Sequence, residues 1–308
     1  MTRSALALAA LANAAVPGLD PVAVGQPDAA GIDFDVAVVT DDRGLRWVVR
    51  APRRSAASAV LDVERVLLPL LARRLPVPVP QPAGYARLPD GGSAVVYRYL
   101  PGQPLDPSTL APGPGLAAHV GQVLAALHDT PPDVLEDVGL PTYDADEYRQ
   151  RRLSEVDRAA GTGAVPTTLL DRWERALEQV AQWRFAPTLV HGDLSGEHVL
   201  VDSGRVSGLV DWDEARIADP ADDLAFVTVG ASDQVVDTVL EAYAQARTEP
   251  PDRDLVTRAR LAAELALARW LLSGVDADDA SVTDRATSAL RDLAGRLETS
   301  ATPSAQDD

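Results

Sequence analysis

Polar residues with chemical capacity crowd into one short stretch of this chain. His191-Gly-Asp193-Leu-Ser-Gly-Glu-His198 lies between the apolar runs Thr188-Leu-Val190 and Val199-Leu-Val201, and Asp211-Trp-Asp-Glu214 closes a third run, 206–210. Two carboxylates and an imidazole on loops at strand ends can converge on one point. Phosphoryl transfer needs such a set: one carboxylate accepts the proton of the attacking hydroxyl, and separate ligands hold Mg²⁺ against the nucleotide phosphates. Each residue alone also has a structural reading. Asp193 could form a turn, His198 could be a hydrogen-bonded structural histidine, and Asp211 could cap a strand end. Their conjunction favours chemistry.

The spacing fits the kinase catalytic loop His-x-Asp-x-x-x-x-Asn, with His198 at the asparagine position. Val210-Asp211-Trp212, beginning seventeen residues after Asp193, replaces the Asp-Phe-Gly that supplies the second metal ligand in protein kinases. Three other readings compete less well. Ser195 beside two histidines suggests a hydrolase, but Gly192-Asp-Leu-Ser-Gly196 is one residue too long for a nucleophile elbow. Gly113-Pro-Gly115 mimics a dinucleotide fingerprint, yet it follows a proline-rich loop and no strand. A catalytically dead kinase-like binding module would explain changes at the lysine and asparagine positions, but both aspartates are retained.

The elements that must position these residues are legible around them. Residues 33–40 and 45–50 read as a hairpin turning at Asp41-Asp-Arg-Gly44. A helix is predicted from about Ser58 with Val60, Leu61, Val63, Val66, Leu67 and Leu70 on its apolar side, and residues 93–100 form a further strand. Residues 101–115 hold five prolines and three glycines, the clearest break in composition, which places a boundary between lobes 1–100 and 101–308. Beyond it, helical periodicity covers 116–127, 173–180, 232–247, 254–273 and 281–297, interrupted by the strand-rich island that carries the polar loop. Asp219, Asp222 and Asp223 are expected to anchor a loop and cap a helix near Pro220, and His119 and His128 to pack or cap.

Composition narrows the chemistry further. The 308 residues include 28 arginines, no lysine and no cysteine, and the net charge is −18. Disulfides, zinc ribbons, thiol nucleophiles, lysine Schiff bases and Walker A loops are excluded. So acidic a surface would repel a phosphate backbone or anionic lipid, so nucleic-acid and membrane partners are not expected. The N-terminal run around Leu6, Leu8 and Leu11 reads either as a signal peptide or as a short helix capped by Ser4. No apolar stretch approaches the ~20 residues that span a bilayer, and a cytoplasmic location is expected.

His191-Gly-Asp193 and Val210-Asp211-Trp212 resemble the signature of the aminoglycoside phosphotransferase-type kinases. More narrowly, Val190-His-Gly-Asp-Leu with Gly196-x-His198, Val206-Ser-Gly-Leu-Val-Asp-Trp-x-Glu-Ala-Arg216, Arg46-Trp-Val-Val-Arg50 and Arg74-Leu-Pro-x-x-Val-Pro80 resemble the macrolide 2′-phosphotransferases. Those enzymes also carry histidine at the asparagine position. The confident motifs span roughly residues 33–228.

The resemblance implies a two-lobed, protein-kinase-like α+β fold with a small β-rich N-lobe and a larger helical C-lobe. It implies Asp193 as catalytic base, His198 and Asp211 as Mg²⁺ ligands, and Arg50 as the cation on the α/β-phosphates with Glu64 as its ion-pair partner. Arg50 and His198 depart from the usual lysine and asparagine. Tyr97, Arg98, Tyr99 and Leu100 correspond to the strand whose backbone meets the purine, and Val210 to its pocket. The implied reaction moves the γ-phosphate of GTP, or ATP, to the 2′-hydroxyl of a macrolide amino sugar, inactivating the antibiotic. For that acceptor, Asp213 and Glu214 are expected to meet the dimethylammonium, and Phe226, with Leu224, Ala225 and Val227, the apolar ring. The family uses the turn near Asp41 in place of a glycine-rich loop.

Overall fold

The computed structural model describes residues 2–25, 33–89 and 91–301. The helix α1 (Ala5–Ala15) begins where Ser4 accepts the amide of Ala7, so the capped helix is the form the N-terminal run takes. It is followed by β1 (Pro21–Gly25), β2 (Phe34–Asp41) and β3 (Arg46–Pro52). The expected hairpin is β2–β3, and Asp41 closes it: its carboxylate accepts the amides of Arg43 and Leu45 and the indole N–H of Trp47. After α2 (Ser55–Leu71) come β4 (Pro82–Arg87) and β5 (Ser93–Arg98), completing an antiparallel sheet of order β1-β2-β3-β5-β4.

The strand alternation gives this sheet two distinct faces. Ala37, Val39, Val49 and Val96 pack under Leu8, Ala12 and Ala15 of α1. The opposite face carries Val36, Val38, Val48, Arg50 and Tyr97 and looks into a cleft. The helix α2 starts three residues earlier than predicted and is rotated from the predicted face. Val66 points to solvent, while Glu64 is buried with Leu61, Leu67 and Leu68. The reason is Arg50, whose charge draws the carboxylate inward.

The second part contains β6 (Gln103–Pro104), α3 (Leu116–His128), α4 (Ala145–Gly161), α5 (Thr167–Glu178), β7 (Thr188–Val190), β8 (Val199–Asp202), β9 (Arg205–Leu209), β10 (Arg216–Ala218), α6 (Ala221–Gly230), α7 (Asp233–Ala246), α8 (Leu255–Asp276) and α9 (Ala280–Ala301). The predicted helices near 116, 173, 232, 254 and 281 form with end shifts of a few residues. Helix α4 was not anticipated because its inward face includes Arg152. That guanidinium is buried against Asp222 and Glu155, so the apolar stripe is interrupted. Its capping box, Asp144 with Glu147, was a legible start signal. Strands β1, β4, β6 and β10 also escaped the sequence reading. Helices α4, α5, α8 and α9 enclose one apolar cluster around Trp173, while α3, α6 and α7 pack into a larger one continuous with α2. The whole is the two-lobed, kinase-like α+β arrangement. No helix among the described residues is long and apolar enough to cross a membrane.

Candidate active site

Strand β7 delivers the chain into the polar loop, and α6 holds that loop in place. Asp223 accepts the backbone N–H of His191 at 2.7 Å and of Gly192 at 2.9 Å, while His128 Nε2 lies 3.2 Å from the same carboxylate. Burying three polar partners around one carboxylate satisfies donors that would otherwise be costly orphans. Arg216 braces the other side, donating to the carbonyl oxygens of Gly192 at 2.9 Å and of Glu214 at 2.8 Å. Arg216 is itself held by Asp222 at 2.7 Å. Burial alone would raise the Asp222 pKa, but Arg152 and Arg216 outweigh it and hold the carboxyl well below the usual range. Asp222 and Asp223 thus hold the loop as expected, while Asp219 accepts the amide of Ala221 at 3.0 Å at the start of α6 and pairs with Arg258 at 2.7 Å.

Gly192 has no room to be anything else. Its φ of +85° lies in the left-handed region, and a Cβ there would sit 2.3 Å from the carbonyl oxygen of Glu214. The next residue, Asp193, is exposed, and its carboxylate has no side-chain partner among the described residues. His191 lies fully buried beneath it, with Nε2 2.9 Å from the Val210 carbonyl oxygen and its ring against Trp212. Burial lowers its pKa, which keeps the ring neutral and structural. His119 is also structural, its Nδ1 accepting the amide of Val206 at 3.0 Å.

His198 Nδ1 lies 2.7 Å from the backbone carbonyl oxygen of Asp193. A carbonyl only accepts, so Nδ1 carries the proton and Nε2 of the neutral ring presents a lone pair. That lone pair faces Asp211 Oδ2 at 3.5 Å. Two electron-rich atoms opposed in this way fit a cation between them, and a nitrogen and an oxygen are a workable, if not the hardest, donor pair for a divalent ion. Asp211 has φ +66°, a conformation that costs a non-glycine residue roughly 1–3 kcal/mol and that clusters at functional sites.

Across the cleft, Arg50 donates from Nη1 to Glu64 at 2.9 Å, the expected pair, and from Nη2 to both oxygens of Asp213 at 2.5 and 2.6 Å. Asp211 lies 3.5 Å from the same Nη2, and the Phe34 ring lies under the guanidinium. Burial would lower the Arg50 pKa, but the three carboxylates raise it further above its already high ordinary value. Burial pushes the Glu64 carboxyl up to about 7 against the pull of Arg50, and Tyr97 donates its hydroxyl to Glu64 at 2.5 Å. Asp213 is likewise raised by burial, opposed by Arg50.

Arg50, Glu64, Tyr97, Arg98, Tyr99, Leu100, His198, Val210, Asp211 and Asp213 all border one cavity of about 390 Å³. These residues, named from the sequence, thus meet around one cavity, whereas Asp193 is not among those lining it and Phe226 lies apart from it. Asp213 places its carboxylate on Arg50 and borders both this cavity and a second one. Phe226, 9% exposed, is packed in the core with Leu224 and Val227, because α6 is covered by α8 on one side and by Pro107 near Gly230 on another. Glu214 does stay open, its side chain 61% exposed beside Arg216, and it borders a second cavity of about 280 Å³ with Val60, Val63 and Tyr143.

This geometry has close counterparts. The chain is 30% identical over 234 residues to the uncharacterized protein YcbJ of Bacillus subtilis, covering 72% of this chain and 75% of that protein. It is also 30% identical over 236 residues to viomycin phosphotransferase of Streptomyces vinaceus, covering 72% and 80%. Among solved structures, macrolide 2′-phosphotransferase type I superposes with a TM-score of 0.76 at 28% identity, covering 89% of this chain and 92% of that one. The model of the phosphotransferase enzyme family matches residues 24–263, which take in the cleft, the polar loop and α6. The chain belongs to the phosphotransferase enzyme family and is an enzyme that transfers a phosphoryl group to a hydroxyl.

Proposed function

We propose that this enzyme transfers the γ-phosphate of GTP, or of ATP, to the 2′-hydroxyl of the amino sugar of a macrolide antibiotic and so inactivates it. The observation that supports the reading is the meeting of His198 and Asp211 with Arg50 at one cavity, beside the loop that exposes Asp193, in a chain whose histidine-bearing loop resembles that of the macrolide 2′-phosphotransferases.

In this reading residues 1–100 grip the nucleotide and residues 101–308 supply the chemistry and the acceptor site. The backbone of Tyr97–Leu100 and Val210 receives the purine. Arg50, held by Glu64, meets the α/β-phosphates. His198 and Asp211 hold Mg²⁺, which offsets phosphate charge when bound. Asp193 accepts the proton of the attacking hydroxyl, and its exposure leaves it open to an acceptor. Glu214, beside the apolar residues Val60 and Val63, is assigned to the single dimethylammonium of the sugar. A nucleotide donor sets the reaction in the cytoplasm.

The similarity to viomycin phosphotransferase favours a second reading, in which the acceptor is another hydroxylated amine. The two are separated by incubating the enzyme with Mg²⁺ and either GTP or ATP, and with erythromycin, viomycin or kanamycin in turn. A one-phosphate mass increase on the erythromycin amino sugar is the expected result. No increase on any macrolide, with robust phosphorylation of viomycin or kanamycin, moves the assignment to the second reading.

A further inference from the structure

Arg50 is held by two carboxylates that are anchored very differently. Glu64 sits on α2, buried, and is fixed again by the Tyr97 hydroxyl. Asp213 lies in a short stretch with neither helix nor strand between β9 and β10, and its side chain is 28% exposed. Yet it makes the tighter contact, placing both oxygens on Nη2 at 2.5 and 2.6 Å. A carboxylate and a phosphate oxygen want the same guanidinium face. Anything that presents phosphate to Arg50 must therefore displace one of the two, and Asp213, off any helix or strand and held by the Glu64 side chain besides Arg50, is the one placed to yield.

We propose that Asp213 is an affinity-setting residue that competes with the nucleotide for Arg50, occupying the guanidinium face on which a phosphate oxygen would bind. This deepens the assignment of the cleft to a nucleotide and rests on it. Asp213 keeps the guanidinium oriented and its charge compensated, and nucleotide binding exchanges that contact for a phosphate contact. Asp211, two residues away and 3.5 Å from the same Nη2, adds repulsion that makes the exchange harder without a cation.

The test is GDP affinity, measured by isothermal titration calorimetry with Mg²⁺ on the full chain, for the wild type, D213N, R50K and the double variant. Circular-dichroism melts establish that each is folded, and D213S replaces D213N if the latter is not. Removing the competitor is expected to tighten GDP binding about tenfold. In the R50K background the gain shrinks to about threefold or less, because an ammonium offers a point charge where the guanidinium offers a fork. Unchanged or weaker binding by D213N overturns the proposal. So does an equal gain in both backgrounds, which would make Asp213 merely a nearby charge. If no variant binds GDP or, in a parallel titration, ADP, the nucleotide assignment itself fails and this proposal with it, whereas binding without an Asp213 effect overturns this proposal alone.

Discussion

Asp223 accepts the backbone amide of His191 at 2.7 Å, so a buried carboxylate on α6 sets where the loop carrying Asp193 begins. Its other oxygen takes the Gly192 amide, and His128 shares the oxygen that binds His191. Asp223→Ala would strand two backbone donors and an imidazole in a dry environment. The expected loss is about 3 kcal/mol of unfolding free energy, read by urea titration, with turnover falling at least ~10-fold in the fraction that remains folded. A variant with unchanged stability would show that the loop is held by something else.

Among the described residues the Asp193 carboxylate has no hydrogen-bonding or ion-pair partner, so its replacement should touch chemistry alone. Asp193→Asn is expected to reduce turnover by at least ~10²-fold while leaving nucleotide affinity and the melting temperature within error of the wild type. Retention of more than about a tenth of the activity with the best acceptor would remove Asp193 from the role of base.

The opposed lone pairs of His198 and Asp211 predict a metal-specific defect. His198→Ala should raise the Mg²⁺ concentration at half-maximal rate about tenfold. His198→Asn, which restores an oxygen donor of the kind usual at this position, should return it to the wild-type value or below. An Mg²⁺ titration that does not distinguish the three proteins takes the histidine out of the metal shell.

Glu64 gives the fold a pH dependence whose sign can be worked out. Its pKa rises from 4.5 in a free side chain to about 7 in the folded protein, first because of burial. The folded state therefore binds this proton more tightly than the unfolded chain. Its stabilising effect is complete below about pH 4.5 and is lost as pH rises through about 7. Glu64→Gln mimics the protonated form and lacks this dependence. Relative to that variant, the wild type should lose up to about 3 kcal/mol between pH 4.5 and 7.5, measured by paired urea titrations. A difference that stays constant across that range would mean that Glu64 remains ionised throughout.

The polar loop, the hairpin turning at Asp41, the five helical periods and Asp211 at the end of the third apolar run were legible in the amino-acid order, because each is a local pattern. A loop between two short strands carries its own spacing, and a periodic apolar stripe announces a helix wherever it packs. Periodicity says that a face is apolar but not what covers it. Nothing local to Asp213 points to an arginine 163 positions earlier, and it took the closing of the sheet over the polar loop to join them. Glu64, an acidic residue within an apolar run, was named as Arg50's partner only by the family resemblance; no local pattern shows that it turns inward to meet Arg50. Phe226 was assigned to a binding wall on its character, yet α8 and Pro107 bury its helix from two sides. Arg152 broke the apolar stripe of α4, since a buried cation is tolerable only where distant carboxylates neutralise it. Local chemistry and spacing were thus written into the chain, whereas the pairing of buried charges depended on which segments the fold brought within hydrogen-bond reach, where low dielectric makes an unpaired charge too costly to keep.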